Sequence, residues 1–146
     1  MLTLSNWLSD SLLNLAFRNT AWTPPSTVYL ALYTSNPTAA DTGTEVSGGA
    51  YARIAIPFAA PVGQSFNLYD IKTGVAETVT RRTLKSNAEL VFAVATAPWG
   101  LITHVGIRTA LTAGNLMYFG AVNNPRTIET GDRMRVAADS IVVSIG

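Results

Sequence analysis

Beyond Trp22-Thr23-Pro24-Pro25 the chain has no helical period. It reads as short alternating runs cut at regular intervals by turn residues. Thr27 to Thr34 sets Val28, Leu30 and Leu32 against Tyr29, Ala31 and Tyr33, and Ala50 to Ile56 sets Ala52, Ile54 and Ile56 against Tyr51, Arg53 and Ala55. Ala88 to Thr96 places Ala88, Leu90, Phe92 and Val94 on one face, and Leu101 to Thr109 groups Leu101, Thr103, Val105 and Ile107. Leu116 to Val122, Arg133 to Ala137 and Ser140 to Ile145 follow. A period of two half-buries each run as a strand. The breaks at Asn36-Pro37, Gly48-Gly49, Pro98, Ala113-Gly114-Asn115, Asn124-Pro125 and Gly131-Asp132 supply turns. Many short strands with no helix between them predict a mainly β protein, an antiparallel β-sandwich or jelly-roll-like fold.

One helix precedes the strands. Leu4, Trp7, Leu8, Ser11, Leu12 and Leu15 recur at three- and four-residue steps, so the spacing predicts an amphipathic helix over Leu4 to Arg18. Thr3 or Ser5 can cap its first amides, and Arg18 sits where a cation suits the helix C-terminus. Pro24-Pro25 forbids continuation. At 146 residues the chain is one domain, with a helix and arm over 1–25 and a sandwich over 26–146. Gln64 to Asn87 carries much of the charge and reads as an inserted hairpin with Gly74 near its turn. Asn36 to Gly49 reads as a long polar loop, a surface excursion with a task or a mobile one.

Composition narrows the function classes. Charged residues make up only 13% of the chain, and ten basic against nine acidic residues leave a net charge of +1, so no nucleic-acid footprint is visible. Cysteine is absent, which removes disulfides, thiol nucleophiles and zinc-finger spacings. The longest uncharged stretch near the middle, Leu90 to Ile107, is too punctuated for a membrane helix. Few charges defend the surface against association, which suits a subunit that lives in contact with others.

Chemistry-bearing constellations are weak. His104 is the only histidine and shows no nucleophile or carboxylate at a catalytic spacing, so a structural role is expected of it. The carboxylates are dispersed, with Asp41 and Asp132 in turn contexts. No enzyme, cofactor or metal site is expected. Two groups have partner-binding potential. The helix stripe at Leu4, Trp7 and Leu8 either packs on its own sheet or docks on a neighbour. Arg81-Arg82, with Lys85, is either a solvated hairpin face or a docking surface for an acidic partner.

The ordered motifs carry a resemblance. Leu4-Ser5-Asn6-Trp7-Leu8 is followed by Tyr29-Leu30-Ala31-Leu32-Tyr33-Thr34, then Gly43-Thr44-Glu45-Val46-Ser47-Gly48-Gly49 and Tyr51-Ala52-Arg53. Trp99-Gly100, Thr103-His104, Gly106-Ile107 and Gly114-Asn115-Leu116 with Tyr118 and Gly120 come next, and Gly131-Asp132 precedes the last strands. This series resembles a family of small structural proteins of tailed bacteriophages, loosely labelled tail-fibre proteins. Similar small β-sandwich proteins act as capsid cement, or decoration, proteins in cyanobacterial phages. The resemblance implies a virion component without catalytic residues. It implies a cement protein on the capsid surface, a homotrimer bound to the major capsid protein, or alternatively a tail fibre, baseplate or receptor-binding protein bound to tail proteins. A sugar-binding sandwich with an aromatic platform at Tyr33, Tyr51 or Tyr118 is a third reading.

Overall fold

The structure is a computed structural model that describes residues 2–145. It is mainly antiparallel β with one helix near the N-terminus, as the alternation predicts. In chain order the elements are β1 (Thr3–Leu4), α1 (Asn6–Arg18), β2 (Tyr29–Tyr33), β3 (Ile54–Ala55), β4 (Val62–Tyr69) and β5 (Ala76–Lys85). They continue with β6 (Leu90–Val91), β7 (Gly100–Arg108), β8 (Leu116–Ile128), β9 (Arg135–Val136) and β10 (Val142–Ser144). Among the described residues the strands form a five-stranded sheet β1-β8-β7-β2-β3, a three-stranded sheet β10-β5-β4 and a β6-β9 pair.

The helix starts two residues later than its stripe suggests. Ser5, not Leu4, is the boundary: its hydroxyl accepts the Leu8 amide at 3.2 Å and donates to the Leu116 carbonyl. Leu4 lies in β1, opposite Tyr118 of β8. The Ser5 amide bonds the Met117 carbonyl and the Asn6 amide bonds the Ala39 carbonyl, so the first helical turn is fastened to the sheet and to loop 36–49. Asn19 closes the helix in the left-handed conformation with its amide on Asn14, and Arg18 reaches the Asn14 side chain at 3.0 Å.

The main core lies between the large sheet on one side and α1, β10 and the β6-β9 region on the other. Leu30 and Leu32, Ile102, Val105 and Ile107, Tyr118 and Ile128 meet Leu8, Leu90, Phe92, Ile141 and Val143 there. The opposite face of β2 is covered too. Ala31 and Tyr33 pack with Leu116 and Phe119 in a second, smaller cluster. Gly106 makes this possible: a Cβ there would stand 2.7 Å from the Leu116 side chain and 2.9 Å from the Tyr33 ring.

Strict alternation fails in β7. Ile102 is opposite Arg126, yet His104 is opposite Ala121, so Thr103 alone spans Val122, Asn123, Asn124 and Pro125 of β8. The irregularity changes parity: Ile102 is buried with Val105 and Ile107, while Leu101 turns out to solvent. Asn124-Pro125, expected to end a strand, is instead the bulge inside β8, a place where a missing amide costs no ladder bond. The run at Ala88 to Thr96 is also shorter as a strand than its pattern. Leu90 and Phe92 are buried but Val94 is exposed, because only Leu90 and Val91 pair with β9.

Candidate functional site

Two Arg–carboxylate pairs hold loop 36–49, the segment whose length suggests a surface excursion with a task or a mobile one. Glu45 receives both arms of Arg53, from Nε and Nη2, each at 2.7 Å. Its Oε1 also accepts the Tyr51 hydroxyl at 2.9 Å, and that same hydroxyl accepts the Leu32 amide. Asp41 receives Arg108 through Nη1 at 2.8 Å and Nη2 at 2.9 Å. Arg108 then donates to the Tyr33 hydroxyl and the Gly114 carbonyl, leaving only its Nε–H without a partner.

Both arginines also grip the turn between β7 and β8. Arg53 Nη1 donates to the Ala110 and Ala113 carbonyls, each at 2.7 Å, while Arg108 holds Gly114. Guanidinium forks match carboxylates in plane and supply spare donors for carbonyls, which a lysine does not do. Burial pushes the Tyr51 phenol well above its ordinary range. The charge and hydrogen bond of Glu45 push the same way, against the Leu32 amide and the Arg53 charge. Burial raises Tyr33 likewise, partly offset by Arg108. For Arg108, burial opposes the charge, but its bonds to Asp41 and Tyr33 outweigh that and hold it more firmly protonated than usual.

The second half of this unit is aromatic. Tyr51 lies edge-on to Trp99 with centroids 5.5 Å apart and stacks over Phe92 at 6.2 Å. The Trp99 indole donates to the Gly49 carbonyl at 2.9 Å. Gly49 has φ +58, and a Cβ there would meet Ala97 O at 2.7 Å, so no other residue fits without a shift. The motif residues Glu45, Gly49, Tyr51, Arg53 and Trp99 are thus one packed unit. This assigns them to scaffold and leaves Tyr33 and Tyr118 buried, with Tyr51 half-buried and its hydroxyl engaged, so the three tyrosines form no exposed platform for sugar. His104 hydrogen-bonds its neighbour Thr103 at 2.8 Å and faces Tyr33 across the ladder. No group of three acidic or imidazole side chains converges to hold a metal among the described residues.

The residues expected to bind a partner are distributed differently from their expected grouping. Leu8 is 3% exposed and belongs to the chain's own core; Leu4 and Trp7 pack against it, and Trp7 meets Trp22 edge-on at 5.8 Å. The helix leaves Leu13, Leu15 and Phe17 outside instead, with Phe17 82% exposed. Arg81 and Arg82 do lie together in a hairpin, β4–β5, whose turn contains Gly74 at φ +68. Strand alternation sends them to opposite faces, Arg81 across from Gln64 and Arg82 across from Gly63, so they do not form one basic patch. Arg82 is engaged with the Pro61 carbonyl at 2.6 Å. The hairpin joins the body at its base, where Thr83, Leu84 and Lys85 pair with β10 and the Lys85 carbonyl accepts the Ala59 amide. Its outer end exposes Leu68, Tyr69, Ile71 and Val75, with Ile71 fully exposed.

The fold and these surfaces define a small β-rich protein with loop 36–49 held by two arginines and apolar side chains exposed at its projecting hairpin and helix end. Residues 3–144 match the family model described as Podophage GP4 fiber I protein gp80, and the chain belongs to that family of phage virion structural proteins. Comparison with individual curated proteins gives no match.

Proposed function

We propose that the chain is a fibre subunit carried on the tail of a podophage particle, bound to tail proteins and to other copies of itself. The supporting observation is that the fiber-protein family model matches it from residue 3 to residue 144, through the helix, both clamps and the hairpin. The distribution of apolar surface agrees with that reading. The stripe at Leu4, Trp7 and Leu8, one of the two candidate docking groups, packs instead within the chain's own core. The projecting hairpin end and the outer helix face remain for contacts between subunits.

The experiment is gold labelling of intact particles with an antibody raised to this protein. Label confined to the tail is the expected result. Label spread over the head overturns the proposal in favour of capsid cement, and shell stability with and without the protein becomes the next measurement.

A further inference from the structure

The β4–β5 hairpin has two unlike faces. One carries Gly63, Ser65, Asn67, Thr78 and Thr80, closed by Ser65–Thr80 and Thr78–Asn67 hydrogen bonds at 3.1 and 3.2 Å. The other carries Val62, Phe66, Leu68 and Val79, with Phe66 directly opposite Val79. None of these four joins either hydrophobic cluster of the chain, and Val62 and Leu68 are 49% and 47% exposed. Glu77 and Arg81 flank Val79 on this same apolar face.

Those two charges stand four residues apart on one strand, about 13 Å along it, too far to meet each other. Neither has an ion pair or side-chain hydrogen bond among the described residues. Their order, Glu77, Val79, Arg81, is self-complementary. A two-fold axis in the plane of the face, running along the Phe66–Val79 pair, brings Val79 over Val79 and Phe66 over Phe66 of a second copy. The same operation sets each Glu77 over the other copy's Arg81, and each Leu68 over the methylene stem of Gln64. A two-fold interface requires that one patch answer itself, and this pattern does so in both its apolar and its charged positions.

We propose that the apolar face of the β4–β5 hairpin is a two-fold interface with a second copy of this chain, centred on Phe66 and Val79 and fixed in register by reciprocal Glu77–Arg81 pairs. The pairing does not depend on where in the particle the protein sits, so it stands or falls separately from the tail assignment. It also accounts for charges that a merely solvated hairpin has no reason to order this way.

Sedimentation equilibrium of the full chain tests it, using wild type, Glu77→Arg, Arg81→Glu, the double exchange, and an equimolar mixture of the two single variants. Both positions are exposed, and far-UV circular dichroism verifies that each variant folds. Wild type is expected to dimerise. Each single reversal turns two attractive contacts per dimer into two repulsive ones and weakens association roughly ten- to a hundredfold. The double exchange restores the dimer, because each pair is then merely inverted. The mixture also recovers it, since a copy with two arginines meets a copy with two glutamates. A wild-type monomer or trimer, single variants that dimerise like wild type, or a mixture that stays monomeric each overturns the proposal.

Discussion

Asp41→Asn isolates the charge that holds loop 36–49 to Arg108. The amide keeps the shape and one acceptor, but it removes the negative charge facing a guanidinium with a side chain only 10% exposed. Breaking a fully buried pair costs about 3–5 kcal/mol, whereas an exposed pair is worth about 0.2–1 kcal/mol. The Asp41 side chain is 33% exposed, which places the pair between these limits, and Arg108 retains the Tyr33 hydroxyl and the Gly114 carbonyl. The expected loss is about 2 kcal/mol, interpolated between the buried and exposed cases. In a domain of this size that lowers Tm by roughly 4–8 °C. Urea denaturation gives the free energy, and hydrogen exchange gives the location. The Thr42 and Thr44 amides, bonded to Pro37 O and the Ser35 hydroxyl, should exchange faster while those of β7 opposite β2 do not. A variant within about 0.5 kcal/mol of wild type, the range of an inert surface change, or unchanged exchange at Thr42 and Thr44, refutes the view that this pair pins the loop.

Two further perturbations address other parts of the molecule. Burial raises the Tyr51, Tyr33 and Tyr118 phenols in the folded chain, so they bind protons more tightly folded than unfolded. Their contribution is fully present below the unfolded value of about 10 and is lost as pH rises through the folded values. Unfolding free energy should therefore fall as pH rises above about 10, with a shallower slope in Tyr51→Phe; equal slopes in denaturation series at several pH values count against it. Trp7→Ala removes the edge-on contact with Trp22 and part of the helix's packing, and should cost about 2 kcal/mol by differential scanning calorimetry. A variant as stable as wild type means that Trp7 is free to serve an external partner.

Patterning revealed the elements that obey one period. The helix and the strand at Leu30 and Leu32 repeat their spacing locally, and the structure has them there, while the hairpin is legible from its charge and from Gly74 rather than from a period. Leu101 was misplaced because a bulge is a relation between two strands, and nothing within Leu101 to Thr109 signals that Val122 to Pro125 will fold out opposite Thr103. The loop clamps were hidden for a similar reason. Asp41 and Arg108 are far apart in sequence, and a polar loop with two carboxylates looks the same whether its charges are solvated or gripped. Glu45 and Arg53 are nearer, within the motif run from Gly43 to Arg53, and their identities were visible without their purpose. Helix periodicity marked Leu4 and Leu8 as one stripe, but a stripe does not say which surface it meets; the Ser5 contacts to Leu116 and Met117 decide that. Adjacent arginines in a strand, by contrast, could have been separated from sequence alone, since alternation always parts neighbours.

The fastening of the first turn to late parts of the chain governs when the protein can fold. Leu2 bonds Val142, Thr3 and Leu4 pair with Phe119 and Tyr118, and Ser5 reaches Leu116. The helix is synthesised before the strand that receives it, with Ser5 and Leu116 separated by 111 positions in the sequence. Until then Leu8 and Trp7 have no completed core to enter. Closure must wait for distant contacts, which are the slow kind to form. Leu8 and Trp7 therefore settle only once the distant strands β8 and β10 are there to receive them.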